Sequence, residues 1–265
     1  MAELTQTEPP VAEARPYPPP RLSADQRERY DRNILVPGIG EEGQERLLAA
    51  RVLVVGAGGL GTPVILYLTA AGVGHLAVAD ADVVEATNLQ RQVIHGIADV
   101  GIEKTVSAER AIRGLNADVQ VERLGWITPE NAEEIFSSYD LVLECSDNFD
   151  AKFTVADACA ATGVPLVWGT IVSMTYQVTV LHSRPARGRP AVTLRDIHPV
   201  QPASGTTDGA PQVGVLGAAV GQAGSVMATE AVKVITGIGE PLLGRLLIGD
   251  ARAAAWDVIP VGRRP

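Results

Sequence analysis

Short aliphatic runs alternate along the chain with longer segments whose apolar residues recur at helical spacing. The aliphatic runs predict strands over residues 51–55, 76–79, 119–124, 141–145 and 165–171. The longer segments predict helices from Ser23, over 41–50, and between the strands over 62–71, 102–115, 129–138 and 151–162. Strands separated by helices of this length indicate a parallel sheet with right-handed crossovers.

The pattern changes after Ser173. Residues 174–182 resemble an antiparallel strand, and 183–213 are rich in proline, glycine and polar residues, as expected of a functional or mobile loop. An apolar helix over 216–236 and strands near 245–248 and 253–259 follow. The predicted fold class is therefore α/β: a Rossmann-like, mostly parallel sheet with flanking helices, extended by C-terminal antiparallel strands.

Proline occupies six of the first 22 positions, among polar residues. A segment of this composition cannot bury enough apolar surface to order itself, which predicts a disordered tail over 1–22. Residues 23–265 contain no internal repeat and no second glycine-rich turn, so we expect one domain that includes the mobile loop 183–213.

The first predicted strand runs directly into a G-x-G-x-x-G turn, whose glycines are Gly56, Gly58, Gly59 and Gly61. Strand, glycine turn and helix in this order are typical of a nucleotide site. Glycine lets phosphate approach the backbone, and the free amides of the helix start point at the anion. The next strand ends at Asp80 and Asp82, and a carboxylate there is suited to ribose hydroxyls.

Composition excludes several other classes of function. Aromatic residues make up only 4% of the chain, and its formal net charge is −9, which argues against nucleic acid or an anionic membrane as the main partner. No apolar run could span a bilayer, and the N-terminus lacks a signal-peptide pattern. Two cysteines without a C-x-x-C pair indicate a reducing, cytoplasmic setting, and the four histidines lack metal-ligand spacing.

A glycine turn with a distal aspartate suits an NAD-dependent oxidoreductase as well as an ATP enzyme. Three cations near polar loops around the same strand ends favour a triphosphate: Arg32, Arg91 and Lys104. Lys104 also stands in the first turn of its helix, where the dipole disfavours positive charge. Asp147, at another strand end, could hold Mg²⁺ through oxygen.

These motifs resemble those of the MoeB/ThiF family, bacterial relatives of the ubiquitin-activating enzymes. The similarity extends from about Ser23 to about Val261 and includes Arg29-Tyr30-Asp31-Arg32, the GAGGLG turn, Asp80-Ala81-Asp82, Asn88-Leu89-Gln90-Arg91-Gln92, Lys104 and Cys145-Ser146-Asp147-Asn148. The resemblance implies ATP-dependent adenylylation of the C-terminal glycine carboxylate of a small ubiquitin-fold sulfur-carrier protein.

Each motif carries an implied role from this resemblance. Gly59 and Asp80 would hold the nucleotide and its ribose. Asn88, Gln90, Arg91 and Lys104 would grip the phosphates, and Asp147 would bind Mg²⁺ with Asn148 beside it. The arginine at the position of Arg32 would enter the site of a partner subunit, which implies a homodimer.

The sequence also departs from the family pattern. Many members carry a tetracysteine zinc site, but 190–195 here contain no cysteine, so zinc is not expected. Pro211-Gln212-Val213 replaces a loop cysteine of other members, which implies a separate sulfur donor. A non-catalytic partner subunit of the same fold and an NAD-dependent oxidoreductase stay open as alternatives.

Overall fold

The computed structural model describes residues 21–203 and 213–262. Its strands are β1 (Arg51–Val55), β2 (His75–Ala79), β3 (Gln120–Leu124), β4 (Leu141–Glu144), β5 (Leu166–Val172), β6 (Thr175–Leu181), β7 (Arg245–Asp250) and β8 (Ala255–Pro260). Its α-helices are α1 (Ala24–Arg29), α2 (Asp31–Ile34), α3 (Gly40–Ala49), α4 (Gly61–Ala71), α5 (Lys104–Leu115), α6 (Ala132–Phe136), α7 (Phe149–Thr162), α8 (Leu194–Ile197) and α9 (Gly217–Thr236).

All eight strands form one sheet in the order β3-β2-β1-β4-β5-β6-β7-β8. The first five strands of that order are mutually parallel, and the pairings from β5 to β8 are antiparallel. The chain moves outward from β1 to β3 and then returns to β4 on the other side of β1. The carboxyl ends of β1 and β4 therefore flank the point where the strand order reverses, which is where open α/β sheets bind ligands.

Strand β1 shows how the sequence divides the core between the two faces of the sheet. Val52 and Val54 belong to a buried cluster with α4 and α9, whereas Leu53 and Val55 belong to a second cluster with α6 and α7. Because both faces are covered, the parallel strands are continuous aliphatic runs rather than alternating ones. The α/β architecture with C-terminal antiparallel strands is confirmed.

Several predicted boundaries were wrong. The helix expected from Ser23 is interrupted at Tyr30, which ends α1 and precedes α2. Helix α6 covers only 132–136 of the predicted 129–138, because Asn131 bonds the amide of Thr128 and the carbonyl of Trp126 in a turn. Strand β4 ends at Glu144 instead of Cys145, and α7 begins at Phe149 instead of Ala151.

Two expectations concern segments that the structure describes only in part. Residues 1–20 of the predicted tail and 204–212 of the predicted loop lie outside the described residues. The described part of the loop includes a bridge between His182 and Val192 and the short helix α8. Within the described ranges, no helix has the length and hydropathy needed to cross a membrane.

Candidate nucleotide-binding site

The glycine turn after β1 is built by close backbone approaches. Gly56 has φ +100°, and a Cβ there would lie 2.9 Å from the carbonyl carbon of Cys145, at the end of β4. A Cβ on Gly61 would overlap the carbonyl oxygen of Gly56. Helix α4 begins at Gly61 without a side-chain N-cap, and the Thr62 amide donates to the Gly58 carbonyl at 3.0 Å. Within the described residues, the amides of Gly58 and Gly59 in the preceding turn have no backbone partner, so they are free to bind an anion.

The end of β2 holds this turn from one side. Asp80 accepts a hydrogen bond from the Ala57 amide at 2.8 Å through one carboxylate oxygen, and from the Asp82 amide at 2.9 Å through the other. Each of these oxygens has a further lone pair. Asp80 therefore fixes the glycine turn and can still accept from a ribose hydroxyl.

Lys104, the first residue of α5, is a buried cation at the same edge. Only 6% of the residue is exposed, and its Nζ lies 2.8 Å from Oδ2 of Asp82, whose side chain is largely exposed. The Lys104 amide also donates to the Asp82 carbonyl at 2.9 Å. The two residues are thus joined through both backbone and side chain.

The loop that follows β2 covers the glycine turn. Asn88 is buried, and its Oδ1 accepts from the Glu85 amide, which closes a 3-10 turn. The Arg91 guanidinium donates to the Thr87 carbonyl at 3.2 Å, and its stem lies 3.8 Å from where a Gly59 Cβ would be. Gln90 is exposed, and its carbonyl oxygen packs against Gly217 at the start of α9.

The end of β4 contributes Asp147 and Asn148. Asn148 is the N-cap of α7, because its Oδ1 accepts from the Ala151 amide at 2.8 Å. Asp147 is exposed and makes no hydrogen bond or ion pair to another residue of the described ranges. Asn148, and not Asp147, is therefore the cap of α7, and the Asp147 carboxylate is free to bind a ligand.

A cavity of about 410 Å³ opens beside Asp80, beyond the carboxyl ends of β2 and β3. Its lining consists of Asp80, Ala81, Glu103, Thr105, Arg123, Leu124 and Gly125. Arg123 is held there by Glu109 at 2.9 Å and faces Glu103 at 3.8 Å. The cavity is large enough for a nucleoside and adjoins the carboxylate suited to ribose.

Arg32 is not brought together with the other predicted residues. Its side chain is 92% exposed on α2, next to Asp31 at 3.7 Å. The neighbouring Asn33 contacts the carbonyl of Ala71, at the far end of α4 from the glycine turn. Helix α4 has 11 residues, a length of about 16 Å, so Arg32 is remote from the site of its own chain.

Sequence reasoning missed a buried ion pair between Glu144 and Lys152, which lie on either side of Asp147 in the chain. Lys152 Nζ lies 2.5 Å from Glu144 Oε2 and donates to the Gly169 carbonyl at 2.8 Å. The other oxygen of Glu144 accepts from the Ser146 amide at 2.8 Å and from its hydroxyl. Two sequence signals could have revealed this pair: Glu144 is a charged residue at the end of an aliphatic run, and Lys152 is a charged residue in an apolar helix.

Sequence reasoning also missed His95, because the four histidines of the chain show no metal-ligand spacing. The residue is 6% exposed and lies between the glycine turn and α5, where Nε2 is 3.0 Å from the Ala57 carbonyl and Nδ1 is 2.8 Å from Ser107 Oγ. Burial lowers the pKa of His95, and the nearby Lys104 charge lowers it further. Its position three residues after the Asn88–Gln92 motif was the available signal.

Both cysteines are buried, Cys145 at the end of β4 and Cys159 on α7. Burial raises the pKa of each thiol, and the negative charge of Glu144 acts in the same direction on both. Neither thiol forms a reactive thiolate readily in this setting.

Comparison with known proteins places this site in context. The model of the ThiF family matches residues 30–265. A Thermus thermophilus "Sulfur carrier protein adenylyltransferase" is 44% identical over 246 residues, which cover 92% of this chain and 91% of that protein. A Mycobacterium tuberculosis "Probable adenylyltransferase/sulfurtransferase MoeZ" is 45% identical over 259 residues, and the match spans only 64% of its length. Among solved structures, E. coli MccB with ATP shares the fold, with a TM-score of 0.76 at 21% identity over 94% of this chain and 74% of that one.

Proposed function

The chain belongs to the ThiF family, and we propose that it transfers the adenylyl group of ATP to a small ubiquitin-fold sulfur-carrier protein. The acceptor is the C-terminal glycine carboxylate of the carrier, which becomes activated for thiocarboxylate formation. The one observation that carries the proposal is the gathering, at a single sheet edge, of a glycine turn, buried Lys104 and unpaired Asp147. The T. thermophilus relative, named for this activity, supports it along almost its whole length.

The triphosphate is assigned to the turn and to the cations around it. In the turn formed by Gly56, Gly58, Gly59 and Gly61, the free amides of Gly58 and Gly59 donate to the anion, and Arg91 and Lys104 supply positive charge. Asn88 supports the loop that presents Arg91, and exposed Gln90 is free to donate from its amide group. Asp80 takes the ribose hydroxyls, while Asp82 orients the ammonium group of Lys104.

We assign Mg²⁺ to Asp147, with Asn148 beside it. A lone exposed carboxylate fits this ion, because Mg²⁺ is commonly held by one or two carboxylates together with substrate phosphates and water. No cluster of three ligating His, Cys, Asp or Glu side chains occurs in the described residues, so phosphate and water would complete the coordination. Bound Mg²⁺ would offset charge on the phosphates.

The chemistry needs positioning and charge more than a side-chain nucleophile. A carboxylate oxygen of the carrier attacks the α-phosphorus, an acyl–phosphate bond forms, and pyrophosphate leaves with the electrons of the broken P–O bond. Two anions approach each other in this step, so Lys104 and Arg91 offset their repulsion. The product is a mixed anhydride that an external sulfur donor can attack, in keeping with the burial of Cys145 and Cys159.

We further propose that the working unit is a homodimer in which Arg32 completes the partner's site. Its exposure and its distance from the glycine turn of its own chain support this role. In a mixture of Arg32→Ala and Asp147→Ala subunits, hybrid dimers contain one intact site, so activity should return although each variant alone is inactive. Absence of recovery after subunit exchange would contradict the assignment in trans.

The test of the proposed activity is carrier-dependent ATP–pyrophosphate exchange with a panel of Gly-Gly-ending carriers. Lys104→Ala should lose two or more orders of magnitude, roughly 3 kcal/mol, because the phosphate charge is no longer offset. Lys233→Ala is the matched control, since that lysine pairs with Glu230 on α9. Reduction of a nicotinamide cofactor, with no exchange for any carrier, would favour an oxidoreductase instead.

The pathway depends on which carrier is accepted, so molybdopterin and thiamine carriers belong in the panel. We expect the reaction to run in the cytoplasm, where thiols stay reduced. A folded chain that binds ATP but never exchanges pyrophosphate would indicate a non-catalytic partner subunit.

A further inference from the structure

Ala57 in the glycine turn has both of its backbone groups held by side chains. Its amide donates to Asp80 Oδ2 at 2.8 Å, and its carbonyl faces His95 Nε2 at 3.0 Å. The residue is fully buried. The peptide groups that follow, at Gly58 and Gly59, are the ones assigned to phosphate, so their direction depends on how firmly Ala57 is held.

The partners of His95 determine its protonation. A carbonyl oxygen can only accept, so Nε2 carries the hydrogen, and Nδ1 lies 2.8 Å from the Ser107 hydroxyl oxygen, which also bonds the Asp99 carboxylate. Burial is the largest influence and lowers the pKa of His95, and the Lys104 charge acts in the same direction, whereas the bond to the Ala57 carbonyl and the charges of Asp99 and Asp80 raise it; the net lowering agrees with a neutral ring. Ser107 lies on α5, three residues after Lys104, so the imidazole joins the turn to the helix that supplies the buried cation.

The segment before His95 packs on the same turn. The Gln92 carboxamide is 3.5 Å from where a Cβ of Gly58 would lie, and the His95 amide donates to the Gln92 carbonyl at 3.1 Å. Gln92 is 4% exposed. Two consecutive contacts therefore press this segment against Ala57 and Gly58.

We infer that His95 is a positioning residue for the triphosphate: its Nε2–H holds the Ala57 carbonyl and thereby directs the glycine-turn amides toward phosphate. The inference rests on the ATP binding of the proposed function but not on the identity of the acceptor. Because His95 acts through the backbone, it need not touch the nucleotide. Its removal should weaken the binding of phosphate more than the binding of the nucleoside.

Two substitutions distinguish the hydrogen bond made by Nε2 of His95 from the one made by Nδ1. The amide nitrogen of glutamine can reach the place of Nε2, so His95→Gln keeps the bond to Ala57, whereas the amide of asparagine reaches only the place of Nδ1. We expect His95→Asn to weaken ATP binding about tenfold or more, about 1.4 kcal/mol, and His95→Gln to stay within about threefold of the original chain. Adenosine affinity, measured by calorimetry, should change little in either variant.

His182→Asn is the matched control. His182 is also buried, and its Nε2 lies 2.9 Å from a backbone carbonyl, that of Gly163 after α7, on the opposite side of the sheet from the glycine turn. It should lose stability without losing ATP affinity. Unchanged ATP binding in folded His95→Asn, or equal losses for ATP and adenosine, would overturn the inference.

If His95→Asn does not fold, the ¹⁵N shifts of the imidazole in the original chain provide the decision. The neutral ring with hydrogen on Nε2 is expected, and a neutral ring with hydrogen on Nδ1 would refute the bond to Ala57.

Pyrophosphate exchange, measured on the same proteins, separates this inference from the proposed function. If ATP binding depends on His95 but no carrier supports exchange, the proposed adenylylation is rejected and the role of His95 stands. If exchange occurs and is unchanged in His95→Asn, the role of His95 is rejected and the adenylylation stands.

Discussion

The buried pair of Glu144 and Lys152 gives a prediction whose size follows from its surroundings. Glu144 is fully buried and Lys152 is 3% exposed, so solvent does not screen them. Lys152→Met removes the cation and leaves a buried carboxylate without its partner. Breaking such a pair costs about 3–5 kcal/mol, which is a large share of the roughly 5–15 kcal/mol that stabilises a typical domain.

The double variant Glu144→Gln/Lys152→Met should recover most of that loss. Glutamine retains an oxygen for the Ser146 amide, and the methionine side chain fills a similar volume without charge. We expect the double variant to be destabilised by at least about 2 kcal/mol less than the sum of the single variants. Urea unfolding, followed by circular dichroism and tryptophan fluorescence, measures these differences.

The exposed pair of Arg195 and Asp157 is the matched control. Their side chains are 45% and 47% exposed at a separation of 2.7 Å, so breaking this pair should change the free energy of unfolding by less than about 1 kcal/mol. A loss below 1 kcal/mol in Lys152→Met, or a double variant that equals the sum of its singles, would refute the electrostatic argument.

Three further outcomes are expected from the site. Asp147→Ala should abolish Mg²⁺-dependent pyrophosphate exchange without loss of stability. Asn148→Ala should cost about 1 kcal/mol of stability, because the cap of α7 is lost. The opposite pattern, with stability lost in Asp147→Ala and exchange lost in Asn148→Ala, would contradict the assignment. A Cys145→Ser/Cys159→Ala protein should still form the carrier adenylate and, with a sulfide source, the carrier thiocarboxylate. If it forms adenylate but no thiocarboxylate, while the original chain forms both, an internal thiol is required. Arg91→Ala should lose about a hundredfold or more in exchange, and near-normal exchange in the folded variant would remove its phosphate role.

The parts of the fold that depend on local pattern were predictable from the sequence. Strand β1 and the glycine turn occur where expected, because an aliphatic run followed by glycines has few alternatives. The course of the chain near Tyr30 was not predictable. Its ring packs on Gly72, and its hydroxyl accepts from Asn116, 86 residues later, so a tertiary contact interrupts the local helical pattern.

The residues of the site were likewise predicted only in part. Asp80, Lys104 and Asp147 follow strands or start helices, and strand ends meet at one edge of any parallel sheet. Lys152 was missed because its partner is eight positions away on another element, and no local pattern records such a pairing. Whether Asp147 or Asn148 caps α7 depended on one turn of backbone that the sequence leaves undetermined.

The position of β1 between β2 and β4 also has a consequence for the order of folding. Val52 pairs with Leu76, 24 positions later, and with Leu141, 89 positions later. Closing the longer loop costs about 1 kcal/mol more in chain entropy, so we expect β1–β2 pairing to precede β1–β4 pairing. Pulse-labelled hydrogen exchange should therefore find protection in 75–79 before 141–144, and the opposite order would reject this sequence of events. Since Gly56 lies against the end of β4, the pocket proposed for ATP forms only with the later β1–β4 pairing, and ATP should slow unfolding without accelerating folding.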